Sequence, residues 1–298
     1  MPQPSSSHEQ EPLLPSSNGT STTTKTSTHD NNARSVGLTI RNHLAADVNV
    51  KYADIVLIIM FFVSGLVDSG AYNAYECFVS MQTGNTVFAA LGASNLPVAS
   101  SNAAWIKSLT SILSFILGSF ILSTFHQCFG QRKRWVLVFS FLLQLSLTAA
   151  AATLVMSGAS SESPSKRHSM KTDSLPRDPG FPWLDLLPIG LLAFQASGKI
   201  VVSRALGYNG LPTLVLTTLM CDLMGDPQLF TAGLLSNATR NRRVSAFVLY
   251  FAGAVSGGMA ASSKIGFAGG LWIATAIKFA VMLIWLCWRS EEKSLTDE

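Results

Sequence analysis

The chain has 298 residues, of which 48% are hydrophobic and only 13% charged, and it carries a net charge of +4. Apolar residues gathered into long blocks exclude an ordinary soluble domain and indicate an all-α, polytopic helical membrane protein. The charge is too small to argue for a nucleic-acid partner, and the basic residues cluster beside apolar blocks, where they read as topology signals.

In chain order, residues 1–48 come first, rich in Ser, Thr, Pro, Asn and Gln and centred on Ser21-Thr-Thr-Thr-Lys-Thr-Ser-Thr28. Such a segment cannot bury enough apolar surface to offset its ordering entropy, so a disordered cytoplasmic tail is expected. Within it, Glu9 lies four residues before the pair Leu13-Leu14. That spacing resembles the acidic dileucine signal read by sorting adaptors, which would route the protein to a vacuolar or endosomal membrane rather than the plasma membrane. The first membrane half then covers 49–156, a polar loop 157–182, the second membrane half 183–289, and a short C-terminal tail 290–298.

Six blocks reach the roughly 20 residues that cross about 30 Å of hydrocarbon: 52–71, 105–127, 135–156, 183–204, 244–263 and 267–288. Trp105, Trp135, Trp183 and Trp288 mark their ends, as expected of a side chain that favours the membrane interface. No cleavable leader pattern precedes the first block, so it reads as an uncleaved first span. Each half also contains a short apolar piece, 79–93 and 212–224, too short to cross. Either these pieces re-enter the membrane or they cross steeply, which would give seven or eight crossings. With neither spanning, Arg132-Lys-Arg134, Arg240-Asn-Arg-Arg243, Arg289 and both termini share one side, as the positive-inside rule favours. This predicts six full spans plus two short re-entrant or broken helices. Three spans per half then give two pseudo-repeats of opposite orientation, the inverted design of many transporters. The sequon Asn237-Ala-Thr239 should stay unglycosylated if its loop is cytoplasmic.

Polarity at membrane depth marks the candidate site. Asp68 sits between Gly65 and Gly70 near the end of the first span, and Gln82, Thr83, Gly84, Asn85 and Thr86 open the first short piece. A carboxylate there can hold a cation, a proton or a polar solute, or it can simply meet interfacial water. Thr83 or Asn85 could cap a helix whose positive N-terminal end points into the membrane, with Gly84 allowing close backbone approach. The opposite side is expected from Gln195, Lys199, Thr217, Asp222 and Lys278, with Thr217 standing roughly where Thr83 stands in the first half. Lys278 lies midway along its span, too deep to snorkel, and is expected to pair with Asp68 or Asp222 or to line a path. Arg204 is expected to snorkel. Gly253, Gly257 and Ala261 recur every four residues and read as helix packing.

Cys77, Cys128, Cys221 and Cys287 have no ligand-type spacing, so no metal, disulfide framework or cofactor is expected. With histidines in the tail or at helix ends, as at His126, no buried histidine relay is expected. No nucleophile and base pair stands out, and an enzyme is not expected.

Gly65-Leu-Val-Asp68 followed by Phe78-Val-Ser-Met-Gln-Thr-Gly-Asn-Thr86 resembles the YoaK-like family, domain of unknown function 1275. The resemblance covers 52–288 and is strongest at 65–87. Its second-half element, Gln195 and then Leu216-Thr-Thr-Leu219, is a weaker match, stretched by an insertion around 207–212. The resemblance implies a multi-pass membrane location and brings no settled activity. The residues themselves point to a secondary transporter or permease for a small polar solute, the alternative being a non-transporting scaffold or sorting receptor.

Overall fold

The computed structural model describes residues 38–94, 104–158, 183–208, 216–231, 233 and 236–291. Of the expected tail, residues 1–37, including Glu9, Leu13 and Leu14, lie outside the described residues, while 38–45 form a short helix, α1. The described residues are nearly all helical: α2 (Ala53–Tyr75), α3 (Gln82–Ala93), α4 (Ala104–Phe129), α5 (Arg134–Met156), a 3-10 turn at Trp183–Asp185, α6 (Leu186–Ala205), α7 (Leu216–Met224), α8 (Ala238–Ser262) and α9 (Gly266–Cys287).

Six of these helices are long and apolar enough to cross a membrane, and the chain is an integral multi-pass membrane protein. The spans match the hydropathic blocks except at two ends. α8 starts six residues before its block because Arg240-Asn-Arg-Arg243 forms its first turns. α2 runs on through Tyr72-Asn73-Ala74-Tyr75, a polar turn that hydropathy does not register.

Three close packings build the bundle: α2 on α8, α4 on α6, and α5 on α9. Glycines set the first two. A side chain at Gly253 would strike the Phe62 carbonyl and one at Gly257 the Leu66 carbonyl, so α8 lies parallel to α2 with their backbones in contact. Gly118 meets Phe194 and Gly198 meets Leu122 in the same way, so α4 and α6 are also parallel. Ser64 meets Lys199 while Val50 meets Tyr208, which makes α2 and α6 antiparallel.

The halves are therefore inverted copies. Exchanging α2 with α6, α4 with α8, α5 with α9 and α3 with α7 leaves the pattern of helix neighbours unchanged. Burial follows the same exchange: 67% of the membrane window is buried in both α2 and α6, against 22% in both α4 and α8. α2 and α6 form the core, α4 and α8 face lipid, and a pseudo-twofold axis lies in the membrane plane between the paired copies.

All the basic clusters share one end. Asp47 bridges to Lys133 and Val48 to Ser290 through the backbone. The Arg134 guanidinium, fully buried, donates to the His43 carbonyl, to the Trp288 carbonyl (2.5 Å) and to Ser290 Oγ (2.8 Å). Arg242 pairs with Asp54 at 2.6 Å. This is the arrangement with neither short piece spanning, in which the basic clusters share one end of the bundle, as the positive-inside rule favours.

Candidate functional site

The first short piece is a re-entrant hairpin. α2 ends at Glu76, whose left-handed backbone (φ 60°) costs roughly 1–3 kcal/mol for a residue other than glycine and turns the chain back into the bundle. Residues 77–81 then run inward as a loop. The helix begins at Gln82 rather than at 79, because Val79 and Ser80 give their N–H groups to a side chain instead of to a helical ladder. That side chain is Asp68: its Oδ1 accepts from Val79 N (3.1 Å) and Ser80 N (2.9 Å), and its Oδ2 accepts from Ser80 Oγ. Asp68 is seven residues from the end of α2, so the hairpin tip lies about 10 Å inside the helix end.

Asn85 completes the hairpin. Its Oδ1 accepts from Phe78 N (2.9 Å), and its Nδ2 donates to the Phe78 carbonyl (2.6 Å), Gln82 Oε1 (3.0 Å) and Ser111 Oγ on α4 (3.0 Å). Asn85 therefore closes the loop like a strand partner, and it does not cap the helix. The N-cap is Met81, which makes no capping bond, and Thr83 does not cap either. Gly84 lets Phe78 lie against the helix, and Tyr72, Phe78 and Phe88 stack over the turn at 4.9–6.3 Å between ring centres. Thr83 and Thr86 are exposed, and Thr86 Oγ1 donates only to the Gln82 carbonyl (2.8 Å). α3 then runs outward to meet Trp105 at Gly92.

α7 holds the equivalent place in the inverted repeat, packed on α8 as α3 is packed on α4. Its Leu219, three residues past the helix start as Asn85 is in α3, is fully buried against Phe61 and Ala246. Asp222 lies at the basic end, where Arg243 bonds its carbonyl (2.9 Å) and its carboxylate (3.3 Å). Thr217 and Thr218 are exposed. The expectation that Thr217 and Asp222 face a central site is thus corrected: α7 is anchored by the apolar contact of Leu219, and Thr217, Thr218 and Asp222 face outward. Thr213 and the rest of 209–215 lie outside the described residues.

The core brings together Asp68, Gln195, Lys199 and Lys278, all at most 2% exposed. Lys199 Nζ donates to Ser64 Oγ (2.6 Å) and interacts electrostatically with Asp68. Lys278 Nζ donates to Thr148 Oγ1 (2.9 Å) and to Gln195 Oε1, and it feels the charge of Lys199. The expected pairing of Lys278 with Asp68 or Asp222 is corrected, since its bonded partners are a neutral amide and a hydroxyl. Gln144, fully buried beside Gly198, leaves its Oε1 without a partner among the described residues. The result is a polar seam from the first hairpin tip to the α5–α9 crossing. Lys199 to Ser64 and Lys278 to Thr148 each join helices exchanged by the inverted repeat, α6 with α2 and α9 with α5, while Lys278 to Gln195 ties α9 to α6.

Sequence reasoning does not single out Ser64, Ser111, Gln144 and Thr148, because one hydroxyl or amide barely lowers a span's hydropathy. It also misses the buried ion pair between Lys107 and Asp185 (3.0 Å), which ties α4 to the start of the second half. His126 stands at a helix end, where the sequence suggests a surface, yet it is 1% exposed because α6 and the 130–134 turn cover it. Arg204 is exposed at the basic end. Cys77, in the loop beyond α2, is buried, and burial pushes its thiol up to about 12.

No curated protein and no solved structure matches the chain. A family described as Protein of unknown function (DUF1275) matches residues 56–284, from the second turn of α2 to near the end of α9, and so covers both short helices and the whole seam. The chain belongs to the DUF1275 family.

Proposed function

We propose that the chain is a secondary transporter or permease for a small polar solute, in a state in which the seam is closed to both sides, and that it is not an enzyme. The observation that carries this reading is Lys278. An amine fully buried about 18 Å from one end of its helix, bonded only to neutral groups, is costly in hydrocarbon and is usual where a polar cargo or an aqueous path needs it. Its position where the two halves meet, with Lys199 and Asp68 near it, is where inverted-repeat transporters place their site. Two amines against one carboxylate favour an anionic group on the solute. The Glu9-Leu13-Leu14 element supports a vacuolar or endosomal destination through a sorting adaptor.

A scaffold or sorting receptor is the second reading. It is favoured by the satisfied bonding of the first hairpin and by clefts that lie at the basic end, at residues 119–131 with 200–205 and at 229–245, rather than at the seam. Uptake into vesicles containing the full chain separates the two, with a panel of radiolabelled small carboxylates and amino acids as probes. Lys278→Met is close in volume and removes the charge together with the bonds to Thr148 and Gln195; folded protein, checked by a thermal scan, should lose at least tenfold in uptake of any transported probe. Uptake unchanged by that substitution would contradict the proposal.

A further inference from the structure

A cleft of about 640 Å³ opens between the ends of α4 and α6 at the basic end of the bundle, apart from the seam. It follows α4 over residues 119–127, about 12 Å of helix, from the helix end toward the hydrocarbon. Its rim carries Arg204 and Gln131, and the Arg132 guanidinium lies against Gly207 close by. Deeper in, the wall passes through Thr124 to Phe120 and Ile200. Phe120 is 69% exposed on a lipid-facing helix, so the cleft opens sideways into the bilayer. Among the described residues, no Asp or Glu lines it.

His126 supplies the second observation. It lines the cleft at 1% exposure, with the Gln131 backbone as its polar neighbour.

We propose that this cleft is a binding site for an anionic phospholipid of the cytoplasmic leaflet. The phosphodiester meets Arg204, Gln131 and Arg132 at headgroup depth, where a cation near an anionic lipid contributes on the order of 1 kcal/mol. An ester oxygen below it takes the His126 N–H, and the start of an acyl chain lies along Phe120 and Ile200. The vertical order, cation then hydroxyl then apolar wall, matches an amphiphile standing in the leaflet and is a poor match for a free anion.

The test uses the full chain equilibrated in vesicles of equal phosphatidylserine and phosphatidylcholine, extracted gently, with the retained lipid measured by native mass spectrometry. Phosphatidylserine should be retained over phosphatidylcholine at least fivefold. Arg204→Gln should lower that ratio about fivefold, and His126→Phe should lower it as well. Lys264→Gln, an exposed charge at the opposite face, should leave it unchanged. Arg204 is exposed, so its substitution leaves the fold intact. Equal retention of the two lipids, or a ratio indifferent to Arg204→Gln, would overturn the proposal, and so would displacement of the lipid by inorganic phosphate.

Discussion

The two short helices α3 and α7 occupy equivalent places in the inverted repeat, and the fourth residue of each is held by opposite chemistry. In the first, Asp68 and Asn85 bond the N–H groups of 78–80 and the Phe78 carbonyl. In the second, the position of Asn85 is filled by Leu219, packed on Phe61 and Ala246. Repetition fixes where a short helix must end, while the choice between a polar clamp and an apolar plug is free in each copy. The Gly-x-x-Asp and Thr-Gly-Asn-Thr elements therefore serve first to fold a break into the membrane. Any contact they make with a solute comes through Asp68 and its neighbour Lys199.

The largest expected effect tests the clamp. Asp68→Ala leaves two buried N–H groups and a hydroxyl without an acceptor and should cost about 4 kcal/mol, read as loss of folded protein in a thermal scan in detergent. Asn85→Leu, close in volume, should cost about 3 kcal/mol through the same exposed loop groups. The reverse exchange, Leu219→Asn, should cost about 2 kcal/mol, because it places an amide among Phe61 and Ala246 with no partner. If Asn85→Leu proved neutral, the two short helices would not differ as described.

Helix packing gives a sharper pair. Gly257→Ala drives a methyl into the Leu66 carbonyl and should destabilise by about 1–3 kcal/mol, whereas Gly258→Ala meets open space and should stay within about 0.5 kcal/mol of the parent. At the surface of α7, Arg243→Gln removes a half-exposed pair with Asp222 and should cost under about 1 kcal/mol in the same scan. The smallest effect is a pH dependence. The Gln228 N–H and the Asn237 amide hold the Asp226 carboxyl below the usual carboxylate range. Its stabilising contribution is present above the ordinary value near pH 4 and is lost as pH falls through the depressed one. Hydrogen exchange at Gln228 should quicken below pH 4, and the substitution Asp226→Asn should remove that dependence.

Much of this architecture is legible in the sequence because lipid leaves few options. Span lengths, the two short pieces and the interior place of Lys278 follow from solvation, and the sidedness of Arg132–Arg134 and Arg240–Arg243 from the positive-inside rule, whereas Asp68 and Lys199, nearer their helix ends, could also be read as interfacial. Partner choice is not legible. Lys278 finds Gln195 and Thr148 across 83 and 130 residues of chain, and Lys107 finds Asp185 across a polar loop, distances that no local pattern encodes. Asp222 escapes the sequence argument because a short helix in the second half need not carry the chemistry of α3, and His126 escapes it because a helix end need not be a surface.

The central claim is that the Asp68–Lys199–Lys278 seam opens to water on each side in turn. The direct measurement is thiol accessibility in sealed, oriented vesicles, with Ser64→Cys and Thr148→Cys introduced singly after the native cysteines are replaced. A small charged thiosulfonate should modify both positions from either face over minutes, faster from one face when the transported solute is present. Complete protection of both positions from both faces, in protein that remains folded, would contradict the account and leave a closed scaffold.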